Sequence, residues 1–322
     1  MIEALLLAAA ALAFAAVSGL NDGATLIAVN LPNPAFRPLT AIALLAGAIG
    51  VVPLVAGVLV AQTLARGLVS FEGSGGRTLF LVAVVVALGV VFALSRRGLP
   101  TSLTLALVGA IVGTGIGRGL PVSWTTVGEV VLIGLAAPLA SAAIGLLVAR
   151  GFVFVPVSRR AWTELRLLGG LAFVLQSVAY AANDGQKMIA VLAIALGLGP
   201  GGQVTVAAWS QVLLAGTFTA GTLVGIERFA ARLGRGVLPV RALHSVAAEL
   251  GSASAVFASA ALGTPVSTTQ ASTAALIGAG VSEAIWRVRW EQAARIGAAW
   301  VMTLPSSALA GAVAAMLLRM VQ

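Results

Sequence analysis

Cysteine is missing from the 322 residues, which excludes disulfides, thiolate metal sites and cysteine nucleophiles. Charge is scarce as well: 9% of residues are Asp, Glu, Lys or Arg, with one lysine (Lys187) and one histidine (His244). Against that, 60% of the chain is hydrophobic, mean hydropathy is +1.07 and 38 residues are glycine. No water-soluble domain has this balance. The fold class it implies is an all-α integral membrane protein, with glycine serving close helix contact in lipid. The net charge of +9 does not point to nucleic acid, because the basic residues stand singly or in pairs between apolar runs. The partner it implies is the lipid bilayer of the cell membrane. The opening Met-Ile-Glu lacks a basic leader region and reads as a first crossing instead of a cleaved signal.

Apolar runs of spanning length fall at 4–30, 39–61, 78–95, 99–117, 124–149, 166–198, 204–226, 242–261, 264–281 and 292–318. The runs at 99–117 and 264–281 are short and open to a re-entrant reading, and Pro305 is placed to kink the last. Counting all ten as crossings with the N-terminus outside puts 14 basic residues in inside loops and 4 in outside loops, as the positive-inside bias expects. Treating 99–117 alone as re-entrant would move Arg150, Arg159, Arg160 and Arg166 outside, so ten crossings are expected.

Two motifs recur in order. Asn21-Asp22-Gly23 and Asn183-Asp184-Gly185 begin 162 positions apart, and the related segments at Pro100 and Pro265 stand 165 apart. Five crossings per half is odd, so the copies face opposite ways: an inverted repeat at 1–150, a linker at 151–165 and a second repeat at 166–322. Inverted repeats with broken helices and a midplane site are the architecture of secondary transporters. Asn, Asp and Gly disfavour unbroken helix, so both Asn-Asp-Gly stretches are expected to interrupt their helices at membrane depth.

Buried charge in lipid is costly, roughly 2.5–3.5 kcal/mol per residue on insertion scales, and marks function. Pro265 followed by Ser267, Thr268 and Thr269 suits a helix start whose free N–H groups bind an anion. Thr101, Ser102 and Thr104 are the counterparts; the plainer reading is that these hydroxyls cap helices. Asn21, Asp22, Asn183 and Asp184 offer hard oxygens to a coupling ion, with Asp22 and Asp184 as ligands if that ion is Na⁺, or a carboxylate that takes a proton. A structural reading has Asp184 merely neutralising Lys187, three residues on; Asp22 has Thr25 at that place, so this explains one half only. Lys187 reads either as an anion-binding cation or as the counter-ion of Asp184. Glu249, inside the eighth run, is a further proton or cation candidate, unless it pairs with Lys187 or His244. His244 and Glu129 read as helix-end residues, and Trp124, Trp162, Trp209, Trp286 and Trp290 as interfacial anchors.

These stretches resemble the inorganic phosphate transporter (PiT) family, whose mark is a repeated Gly-Ala-Asn-Asp followed downstream by Pro-Val-Ser-Thr-Thr. Residues 181–187 and 263–270 match its second-half signature closely, and His244 to Leu250 resembles the approach to it. The first half departs: Gly-Leu-Asn-Asp-Gly-Ala-Thr lacks the usual Val-Ala-Asn, Leu103 stands at a hydroxyl position, and Gln270 replaces a usual histidine. The resemblance implies symport of phosphate with Na⁺ or H⁺, hydroxyl loops on the anion, Asn-Asp pairs around the coupling ion, no cofactor and a possible homodimer. Sulfate permeases of the same superfamily are an alternative, since sulfate is tetrahedral too. A membrane-embedded metal-dependent enzyme and a passive anion channel are further readings. The enzyme fits poorly with acids that stand singly, and no catalytic role is expected.

Overall fold

The computed structural model describes residues 2–33, 35–71, 75–96, 101–153, 159–197, 207–233 and 240–321. The Gly98-Leu99-Pro100 stretch and the middle of the 151–165 linker lie outside them. Among the described residues the chain is helical, with one isolated antiparallel bridge between Val69 and Val122. Among the described residues seven helices are long and apolar enough to cross a membrane, which makes this a multi-pass membrane protein.

The first of these carries an Asn-Asp-Gly stretch inside it. Helix α1 (Ile2–Ser18) passes through a π-turn at Gly19–Gly23 into α2 (Ala24–Asn30). After α3 (Pro38–Val55), α4 (Leu59–Gln62), α5 (Gly76–Arg96), α6 (Leu103–Arg118) and α7 (Trp124–Val153), the pattern returns. Helix α8 (Arg159–Tyr180) passes through a π-turn at Ala181–Gly185 into α9 (Gln186–Leu196). The chain closes with α10 (Ala208–Leu233), α11 (Ala242–Ala261), α12 (Thr268–Glu283) and α13 (Trp290–Val321).

The expected interruptions at Asn-Asp-Gly are corrected here: the helices do not break. Ser18, Gly23, Tyr180 and Gly185 all keep right-handed helical dihedrals. A lipid environment requires backbone groups to be satisfied within the protein, and a π-turn keeps most of them paired while its wider bonding pattern frees local carbonyls. Side chains take these up: Thr25 Oγ1 donates to the Asn21 carbonyl at 2.6 Å, and Gln186 Nε2 to the Ala182 carbonyl at 2.7 Å. The propensity of Asn, Asp and Gly thus appears as a bulge, not a gap.

The second apolar run does break, where no interruption was expected. Helix α3 ends at Val55, Gly57 takes φ +81°, and the four-residue α4 turns off into a further π-turn at Thr63–Gly67. Only glycine adopts that dihedral without strain.

Two short helices pack against long ones from the other end of the chain. Helix α6 lies along α13, and α12 along α7. The approach is backbone to backbone. A Cβ on Gly113 would stand 1.9 Å from the Ala308 carbonyl oxygen, and one on Gly278 would stand 2.0 Å from that of Ala142. Gly311 against Ala110 and Gly145 against Ala275 repeat the arrangement at 2.7 and 2.4 Å. Small residues at such crossings let dispersion contacts hold helices that lipid does not drive together. In the same way α1 packs on α10, where a Cβ on Gly221 would stand 1.9 Å from the Ala16 carbonyl oxygen; α8 packs on α3 without such a glycine crossing among the described residues.

Candidate functional site

Both short helices start in the same manner. Ser102 is the N-cap of α6 and accepts from the Leu105 N–H at 3.2 Å; Ser267 is the N-cap of α12 and accepts from the Gln270 N–H at 3.4 Å. Sixteen residues make a helix of about 24 Å, short of the roughly 30 Å hydrocarbon core. Their starts, buried among the other helices, meet the two π-turns.

At the second π-turn the carboxylate of Asp184 is held on both oxygens. Lys187 Nζ donates to Oδ1 at 2.7 Å, and the Thr268 hydroxyl donates to Oδ2. The ammonium also donates to Thr104 Oγ1 at 2.6 Å and to the Val266 carbonyl, so all three of its protons have acceptors. Lys187 and Asp184 are buried, 2% and 4% exposed, and neutralise one another where either alone would be expensive. Asn183 fixes the segment before α12: its Nδ2 donates to the Thr264 carbonyl at 3.0 Å, and its Oδ1 accepts from Val266 N–H at 3.2 Å.

At the first π-turn the equivalent acid is bound more lightly. Asn21 Nδ2 donates to Asp22 Oδ1 at 2.9 Å. Leu103 takes the place that Thr268 holds in the other half, and Thr25, bonded to its own helix, takes that of Lys187. Asp22 nevertheless reaches the same place as Asp184. Phe14, Ser18, Asp22, Leu103, Thr104, Asp184 and Lys187 line one narrow, closed pocket. Both acids, the lysine and one of the hydroxyls read from sequence therefore converge.

The other expected site residues lie elsewhere. Thr101 approaches Ser95 at 3.4 Å, Ser102 and Ser267 cap their helices, and Thr269 is 3.0 Å from Ser267. Thr268 reaches the pocket through Asp184. Glu249 meets neither Lys187 nor His244 through a hydrogen bond in this structure; it accepts from Asn30 Nδ2 at 2.8 Å, and its second oxygen is buried without a hydrogen-bond partner. His244 sits at the start of α11, where Nδ1 accepts from Arg241 N–H and Nε2 lies 3.1 Å from Glu283. Glu283 also takes Arg241 and Arg287, tying the start of α11 to the end of α12. Among the described residues no three His, Asp or Glu side chains gather as a metal site. Of the two acids Asp22 is the less engaged: its Oδ1 accepts from Asn21, whereas both oxygens of Asp184 accept hydrogen bonds.

Phe14 and Ser18 were not read from the sequence as pocket residues. Both follow from helical spacing, since they lie eight and four residues before Asp22 on one face of the first helix. Gln186 was missed too; a lone amide beside the motif gives no local signal of what it bonds.

The family model described as "Phosphate transporter family" matches residues 18–168 and 157–311. A Mycobacterium bovis protein named "Probable low-affinity inorganic phosphate transporter" is 33% identical over 325 residues, covering 96% of this chain and 76% of that protein. Proteins of the same name from Bacillus subtilis and Rhizobium meliloti are 28% and 30% identical, over 100% and 95% of this chain and 98% and 93% of their own. Among solved structures, one titled "The sodium-dependent phosphate transporter" superposes with a TM-score of 0.79 at 18% identity, over 100% of both chains, a likeness of fold. The sulfate alternative draws no support from these relatives. With its pocket between paired helix starts and π-turn acids, and with these matches over nearly its whole length, the chain is a transporter, not an enzyme, and belongs to the phosphate transporter family.

Proposed function

We propose that this protein is a secondary transporter that carries inorganic phosphate across the cell membrane together with Na⁺ or H⁺. The observation that carries the reading is the single pocket shared by Asp22, Asp184, Lys187 and Thr104, two acids from recurring π-turns facing a short helix start and one cation. Thr104 and Lys187 form its anion side. Thr268 serves it through Asp184, and the caps Ser102 and Ser267 set the two helix starts, with Thr101 and Thr269 as supporting hydroxyls. Asp22 with Asn21 is the coupling-ion side. Asp184 with Asn183 is its counterpart, presently closed by Lys187. Glu249, apart from the pocket, is an additional coupling-ion candidate.

In this reading the chain makes ten crossings in two inverted copies, 1–150 and 166–322, joined by 151–165. The reciprocal packing of α6 on α13 and α12 on α7 supports it, because equivalent helices make equivalent contacts. The pocket has no room for a phosphate as the side chains stand, so loading requires Lys187 to release Thr104 or Asp184 and the helix starts to part. An oxyanion arriving there would take the ammonium that Asp184 now holds, and Asp184 would turn to the coupling cation. Charge would then stay balanced through the cycle.

Purified protein in liposomes tests this. Labelled phosphate should accumulate when an inward Na⁺ or proton gradient is imposed and should not accumulate without one, and running the gradients separately identifies the coupling ion. Flux indifferent to both gradients would sink the symport reading, and uptake of sulfate in preference to phosphate would sink the substrate.

A further inference from the structure

Gln186 follows the second π-turn and precedes Lys187, and it lines no part of the pocket. It is 2% exposed, and both its oxygen and its nitrogen are engaged. Oε1 accepts from the backbone N–H of Val60 at 2.8 Å and of Ala61 at 3.3 Å, groups at the start of α4 that so short a helix cannot pair itself. Nε2 returns to the π-turn through the Ala182 carbonyl.

The far end of α4 continues the connection. Thr63 Oγ1 donates to the Gly263 carbonyl at 2.7 Å, where Gly263 takes φ +70° and a Cβ would stand 3.2 Å from that of Leu59. The next residues, Thr264 and Val266, are those held by Asn183. The hydrogen bonds close a ring: π-turn, Gln186, α4, Thr63, the segment before α12, Asn183, and π-turn again. Val266 in that ring presents its carbonyl to Lys187, and Thr268 just beyond it presents its hydroxyl to Asp184.

We propose that Gln186 is a positioning residue for the pocket. Through α4 it fixes where the segment 263–266 sits, and so holds the Val266 carbonyl and the Thr268 hydroxyl on the Lys187–Asp184 pair. The chemistry requires an amide. A glutamate would accept the two N–H groups but lose the donor to Ala182 and bring a second negative charge beside Asp184. The equivalent position of the other half is Ala24, which cannot make such a ring. The inference rests on the transporter reading above, and it has one arm that does not.

The test compares wild type, Gln186→Leu, Gln186→Glu, Thr63→Val and the Gln186→Leu/Thr63→Val double variant in liposomes. Gln186→Leu should raise the phosphate KM about five-fold or more with a smaller change in maximal rate, and Thr63→Val should move KM the same way. The double variant should be no worse than the worse single one, since both cut one ring and coupled sites are not additive. Gln186→Glu should fall between wild type and leucine. Hydrogen exchange in detergent should quicken at 59–67 and 263–267 in Gln186→Leu and stay unchanged in α6 and α13. A KM within about two-fold of wild type, effects of the two substitutions that multiply, or unchanged exchange in both segments overturns the proposal. If wild type itself takes up no phosphate, the transporter reading fails and the exchange arm alone decides the ring. If Gln186→Leu does not fold, Thr63→Val and Gln186→Glu carry the same criteria.

Discussion

The π-turns at Gly19–Gly23 and Ala181–Gly185 carry the same Asn-Asp-Gly core, lie within continuous helices and send an acid to the same pocket, yet they are bound into the protein to different degrees. The second is cross-linked. Asn183 holds the approach to α12, Asp184 is clamped by Lys187 and Thr268, and Gln186 reaches α4. The first bonds mostly inward: Asn21 donates to the adjacent Asp22 and Thr25 bonds back onto Asn21, while from another helix the Thr222 hydroxyl of α10 donates to the Gly19 carbonyl at 3.2 Å. It is located by contact instead. A Cβ on Gly19 would stand 1.9 Å from the Phe218 carbonyl oxygen of α10, and Gly23 faces Thr222 and the Phe218 ring. Gly185, by comparison, has Pro53 at an ordinary 3.5 Å. One turn is fixed mainly by hydrogen bonds, the other mainly by shape. An acid fixed by shape keeps lone pairs for a ligand, whereas one fixed by an ammonium has to exchange partners first.

Substitution should separate these roles. Asp184→Asn is expected to have the largest effect, because it leaves Lys187 buried without its counter-charge, a loss of about 3–5 kcal/mol for a broken buried pair. Phosphate uptake and thermal stability in detergent should both collapse; retained stability would mean Lys187 has another partner and the clamp is not what holds the turn. Asp22→Asn should abolish gradient-driven uptake, a fall of about 100-fold or more, while the unfolding midpoint moves by only a few degrees, as expected where no ion pair is broken. A stability loss equal to that of Asp184→Asn would erase the contrast between the two turns. Leu103→Thr, which gives the first half the hydroxyl that Thr268 provides in the second, should have the smallest effect. Phosphate KM should shift a few-fold, about 1 kcal/mol, the net worth of an ordinary hydrogen bond. An unaltered KM would place Leu103 out of reach of Asp22.

Much of this was legible in the residues because it is local or periodic. The recurring Asn-Asp and Ser/Thr segments announced the acids, the helix starts and their equal spacing, and the run lengths announced the spanning helices. The form of the turns was misread for a physical reason. Asn, Asp and Gly lower helix propensity, but in lipid an open gap leaves backbone groups unpaired, so the conflict resolves as a wider turn. The departure of α4 was hidden inside an unbroken apolar run, where Gly57 alone marks it. Contacts between distant elements carried no signal at all: Lys187 meets Thr104 across 83 positions, and Gln186 meets Val60 across 126.

The glycine crossings between α6 and α13 and between α7 and α12 bear on how the chain becomes a folded object. Each short helix finds its cover in a long helix distant in the chain, α6 in α13 and α12 in α7. Helix α13 follows α6 by about 170 residues in the chain, so the glycine face of α6 has no such cover until α13 has been made.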